Sequence, residues 1–198
     1  MTTSTMTRNY LTIVSGLPRS GTSMMMQMLD KGGIPALIDH VRTADEDNPK
    51  GYYEFEAVKQ TKKDASWLAN APGKVVKMVH LLLLDLPPNR DYRVVFMRRD
   101  LKEVVKSQNT MLERNQKGGG DLPDDKIIEV FKMQLAKVYK WVADHKNFKM
   151  LEVNYNDMLK TPQPVVAKID QFLDGHLNTD AMLNVIDPTL YRNRIAKV

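Results

Sequence analysis

The chain has 198 residues, is 42% apolar and 27% charged, and carries a net charge of +5, which suits one globular domain spanning the whole length with a sizeable core. With no cysteine it excludes disulfides, thiolate-ligated zinc and cysteine nucleophiles. The basic balance favours an anionic ligand, but no dense Lys/Arg run interleaved with aromatics points to nucleic acid.

Met1–Asn9 is polar and reads as a flexible N-terminus lacking the apolar core of a signal peptide. The longest apolar stretches are strand-sized, so no membrane span is expected and a cytoplasmic location is the default. Leu11–Val14 reads as a buried strand, and a turn with two glycines and a proline follows it, Gly16-Leu-Pro18-Arg19-Ser20-Gly21-Thr22-Ser23. Thr22 to Leu29 then reads as the start of a helix. A strand, a glycine turn and a helix N-terminus form an anion site, because the first-turn N–H groups lack intrahelical partners and the macrodipole favours negative charge there. Ser20, Thr22 and Ser23 add hydroxyl donors and Arg19 a fixed cation. The spacing fits a P-loop except that Thr22 stands where an NTPase has its lysine. The cation has moved back three positions, to Arg19.

Met24, Met25, Met26, Met28 and Leu29 read as core packing on that helix, and Gly32–Gly33 as its stop. Ile34–Ile38 is a candidate second strand. The stretch Arg42 to Glu56 holds five carboxylates, including Glu46 and Glu54, around a Pro-Lys-Gly turn, and its second half is expected to open a helix reaching Leu68. Val75–Val79 reads as a strand with Lys77 inside it and His80 at its end, where doubly wound sheets bind ligands. Leu81–Leu84 followed by Asp85 reads as packing plus a turn. Tyr92–Met97 is the next strand. It runs into Arg98-Arg99-Asp100 and a helix from Leu101 to about Arg114, which sets a guanidinium at the strand end and the Ser107 hydroxyl about two turns into the helix. Gly118–Asp121 reads as a glycine-rich loop. Ile127, Phe131, Leu135, Val138 and Val142 mark an amphipathic helix from Asp124 to about Ala143. Phe148–Val153 is a further strand, and Thr161-Pro162 opens a helix to Leu173. Alternating strands and helices call for a parallel sheet with helices on both faces.

Pro18-Arg-Ser-Gly-Thr-Ser23 after a strand resembles the 5′-phosphosulfate loop of sulfotransferases that use 3′-phosphoadenosine 5′-phosphosulfate (PAPS). Arg99-x7-Ser107 resembles their 3′-phosphate site, Asn-Pro-Lys-Gly-Tyr-x-Glu54 a segment of the bacterial members, and Asn154-Tyr155-Asn-Asp-Met-Leu their Tyr-Glu-Asp-Leu segment, with Asn156 in place of the Glu. The resemblance covers roughly residues 10 to 175. It implies a P-loop NTPase-like α/β fold, a 5′-phosphate held by the loop from Pro18 to Ser23, Arg19 reaching the transferring sulfuryl group, and a 3′-phosphate on Arg99 and Ser107. It also implies 3′-phosphoadenosine 5′-phosphate (PAP) as product. Tyr155 is either a wall for the adenine or an ordinary buried tyrosine. The C-terminal Arg-Lys-Gly segment of the family is absent, and Arg192 and Arg194 stand as substitutes or as a plain basic terminus. Glu46, Glu54 and His80 compete for the general base.

The implied reaction is in-line transfer to a hydroxyl or amine of a small-molecule, carbohydrate or lipid-like acceptor, with no metal because the cations are protein-borne. Two other readings stand beside it. One is a nucleotide kinase-like phosphotransferase using Asp85 for Mg²⁺. The other is a protein that binds PAP or another nucleotide without catalysis.

Overall fold

The structure, a computed structural model, describes residues 8–39, 41–42, 45, 51–114 and 122–187. Among the described residues four strands form one parallel sheet in the order β2-β1-β3-β4. They are β1 (Tyr10–Gly16), β2 (Val75–Val79), β3 (Asp91–Arg98) and β4 (Phe148–Asn154). The helices are α1 (Thr22–Lys31), α2 (Leu101–Arg114), α3 (Asp124–Asp144), α4 (Tyr155–Lys160), α5 (Pro162–Phe172) and α6 (Thr179–Leu183).

Strand alternation divides the core into two layers. Leu11 and Ile13 of β1, Val76 and Met78 of β2, and Val94 and Phe96 of β3 pack with Val104 of α2 and Leu135, Val138 and Val142 of α3. The intervening residues Val14, Val75, Val95 and Met97 pack on the other face with Met25, Met26 and Met28 of α1 and with α4 to α6. All seven residues of β1 are buried, as a central strand covered on both faces requires. This is the P-loop NTPase-like arrangement. The chain leaves β1 toward β2 on one side and returns to β3 on the other, so the loop after β1 sits at the switch point where such sheets bind ligands. Among the described residues no helix is long and apolar enough to cross a membrane.

Two local expectations are corrected. The segment 34–38 makes a single parallel bridge, Ala36 to Val75, in which the Leu37 N–H donates to the Val75 carbonyl at 2.8 Å and the Val75 N–H to the Pro35 carbonyl at 3.0 Å. Pro35 has no N–H to extend the ladder. The helix expected up to Leu68 is two short 3-10 turns, Glu56–Gln60 and Ser66–Asn70. Between them Asp64 Oδ1 accepts from the Ser66 N–H at 2.9 Å, and the Thr61 hydroxyl donates to the Val58 carbonyl at 2.7 Å while accepting from Trp67 Nε1 at 3.1 Å. These local side-chain bonds compete with a helical ladder. The N-terminal residues through Thr7 and the glycine-rich loop lie outside the described residues.

Candidate functional site

The loop after β1 is built by backbone conformations that few residue types accept. Gly21 caps α1 at φ 99° with no side-chain capping bond, and a Cβ there would lie 2.4 Å from the Tyr155 ring, so glycine is required both by its torsion and by the close approach. Arg19 itself holds a left-handed φ of 68°, a conformation of the kind that clusters at ligand clamps. The Met25 N–H donates to the Gly21 carbonyl at 3.1 Å; the amides of Thr22, Ser23 and Met24, one turn earlier, form the open N-terminus of α1. Ser20 is turned inward. Its N–H and its hydroxyl both donate to the Leu17 carbonyl, at 3.2 and 2.7 Å, which shapes the turn.

Across the cavity the loop meets α2. Arg19 Nε donates to Ser107 Oγ at 3.1 Å, and Nη1 approaches Met111 Sδ at 4.0 Å. Arg99, just past β3, donates from Nε to Glu103 Oε2 at 2.9 Å and from Nη1 to the Arg19 carbonyl at 3.1 Å. Its guanidinium lies 4.8 Å from the centre of the Tyr155 ring, within cation–π range. Burial pushes the Tyr155 hydroxyl pKa up. Pro18, Arg19, Gly21, Thr22, Ser23, Arg99, Ser107 and Tyr155 therefore wall one cavity of about 450 Å³.

Glu54 belongs to the same cavity. Its Oε1 accepts from Lys77 Nζ at 3.2 Å and from Arg42 Nη1 at 3.3 Å. Lys77 also donates to the Tyr52 carbonyl. Burial pulls the Lys77 pKa down and the Glu54 carboxylate pulls it back up. The Arg42 guanidinium lies 3.3 Å from the centre of the Tyr52 ring, and the Tyr52 hydroxyl donates to Asp45 at 2.7 Å. Burial, aided by that bond, raises the Tyr52 hydroxyl to about 12.

His80 is not a wall of this cavity. It shares the parity of Val76 and Met78, which face α3, so the extended backbone through Val79 turns its ring to that side. There Nε2 meets Gln134 Oε1 at 2.9 Å, and burial pulls its pKa down. Asp85 ends the 3-10 turn His80–Asp85 and does not line the cavity either. Glu46, Arg192 and Arg194 lie outside the described residues. Sequence reading gave Lys77 no role of its own. The signal was the two-residue alternation of β2, which sets Lys77 on the opposite face from His80.

A profile of the family described as "Sulfotransferase domain" matches residues 11–194. The chain belongs to the sulfotransferase-domain family. Solved sulfotransferase structures share the fold. The "Sulfotransferase Domain from the Curacin Biosynthetic Pathway" aligns at 14% identity and TM-score 0.51, over 85% of this chain and 75% of that one. The "Sulfotransferase Domain from the Synechococcus PCC 7002 Olefin Synthase" aligns at 16% identity and TM-score 0.53, over 93% and 80%. A search of curated proteins finds no match. The donor set suits the family's co-substrate chemically. Six cationic and two acidic side chains line the cavity among the described residues, and Arg99 and Lys59 are paired with Glu103 and Glu56 outside it; the remaining basic balance suits an anionic ligand.

Proposed function

We propose that the protein is a PAPS-dependent sulfotransferase acting on a hydroxyl or amine acceptor. The observation that carries this reading is the Arg19–Ser107 bond at 3.1 Å, because it joins the glycine loop to α2 across one cavity that Arg99 also enters. An ATP-type site needs cations at one phosphate chain; in this reading the loop serves as one anion station, and Arg99 and Ser107, which line the same cavity, as the other.

Bound PAPS supplies the sulfuryl group: an acceptor–sulfur bond forms as the bond from sulfur to the 5′-phosphate oxygen breaks, and that oxygen keeps the electron pair. The first-turn amides of α1 and the hydroxyls of Thr22 and Ser23 hold the 5′-phosphate. Arg99 and Ser107 hold the 3′-phosphate. Ser107 accepts from Arg19, which leaves its own hydroxyl hydrogen for a phosphate oxygen. Arg19 neutralises charge that builds on the bridging oxygen, and Tyr155 flanks the base. Glu54 takes the acceptor proton, and Lys77 fixes the carboxylate in position.

Calorimetric titration of PAP, ADP and ATP against wild type and Arg99→Ala tests the reading. PAP should bind at least tenfold tighter than ADP, and Arg99→Ala should erase that margin, since a hydrogen bond to a charged group contributes about 1.5–3 kcal/mol. ATP binding as tight as PAP would refute the 3′-phosphate assignment and favour a kinase-like phosphotransferase.

A further inference from the structure

Beside the Glu54–Lys77 pair the cavity changes character. Its apolar wall there is Phe55, Val58, Val79 and Leu82 among the described residues. Val79 lies about 7 Å beyond Lys77 on the same face of β2, two residues along the strand. It is 43% exposed, whereas Val75, Val76 and Met78 of the same strand are at most 1% exposed. Phe55 follows Glu54 directly in the chain, and its ring is braced edge-on against Trp67 at 6.0 Å. Lys59, next to Val58, also lines the cavity, and its Nζ is held by Glu56 at 2.5 Å.

A carbohydrate brings several hydroxyls, and each loses its water on binding and needs a protein partner in return. Apart from Lys59, whose ammonium is taken by Glu56, this wall offers carbon among the described residues. Binding sites keep a few polar groups for orientation and apolar surface for affinity, and here the orienting group is the Glu54 carboxylate. Resting on the sulfotransferase reading above, we propose that the acceptor is a lipophilic alcohol. Its hydroxyl meets Glu54, and its hydrocarbon body lies on Phe55, Val79 and Leu82. The product is the alkyl sulfate monoester, with the hydroxyl proton left on Glu54 and PAP released.

The test is transfer of labelled sulfuryl group from PAPS by the full chain to straight-chain primary alcohols from butanol to octanol, beside glucose and glycerol, with PAP binding measured in parallel. Each added methylene should raise kcat/KM about fourfold while it still reaches the wall. Val79→Asp should flatten that slope with PAP affinity unchanged, which also shows that the variant is folded. Intact PAP binding with a flat alcohol series, or with glucose as good as octanol, overturns the acceptor assignment alone. Intact PAP binding with transfer to neither class overturns it as well and favours a protein that binds PAP without catalysis. Failure of wild type to bind PAP overturns the sulfotransferase reading, and this inference falls with it.

Discussion

The buried ion pair beneath the glycine loop gives a sharp test of how the site is held. Arg99 and Glu103 have side-chain exposures of 7% and 4% and meet at 2.9 Å. The same guanidinium donates to the Arg19 carbonyl at 3.1 Å, so the pair anchors the one loop residue in a left-handed conformation that is not glycine. Glu103→Gln keeps the shape and removes the charge. Removing one partner of a buried pair costs about 3–5 kcal/mol. The amide still accepts a hydrogen bond, so the lower end, about 3 kcal/mol, applies. For a chain of this size that is a fall in Tm of roughly 6–12 °C. If Arg99 receives a 3′-phosphate, saturating PAP supplies the missing negative charge, and the variant gains more from PAP than wild type does. Thermal melts of both proteins with and without PAP measure this, and at least half of the gap should close. A fall under about 2 °C refutes the energetic argument for the pair. A gap that PAP leaves unchanged refutes the placement of a phosphate on Arg99.

Two further outcomes are expected. Glu54→Gln should lower kcat about 10²–10⁴-fold with PAP affinity intact, while His80→Gln should leave kcat within threefold; steady-state kinetics on both variants decides between the bases, and the reverse pattern would move the proton to His80. Burial holds the His80 pKa below its ordinary value, so the unfolded chain takes the proton first. That contribution to stability is full above about pH 6.5, is lost as the pH falls below it, and levels off below the folded value. Urea midpoints at pH 7.5 and 5.5 should therefore fall more in wild type than in His80→Gln, and equal slopes would contradict the burial argument.

The parallel sheet was legible because each strand and helix carried its own period, and because Gly16, Gly21 and the hydroxyls between Ser20 and Ser23 mark a turn that opens a helix. Side-chain direction was harder to read. Its place at the carboxyl end of β2 suggested His80 for the site, yet a two-residue strand period separates it from Lys77, and only the pairing of β2 with β1 tells which face is which. Ser20 looked like one more donor to a ligand; its hydroxyl is used by the turn, a local geometry that composition does not reveal. Residues 52–68 carried enough charged and apolar residues for a helix, and the bonds made by Thr61 and Asp64 decided otherwise. The ion pairing of Glu54 with both Arg42 and Lys77 joins residues far apart in the chain, so no local pattern announces it.

The short bridge at Ala36 also bears on self-association. On the side of β2 away from β1, the Val75 N–H and carbonyl are both taken by Pro35 and Leu37. The opposite rim, β4, presents Lys149, Glu152 and Asn154 to solvent. An incoming strand would meet an edge already paired at Val75 on one flank and charged side chains on the other, two devices that deter edge-to-edge aggregation. Both edges of the described sheet therefore disfavour side-by-side pairing of copies, and the cavity opens at the strand ends rather than along either edge.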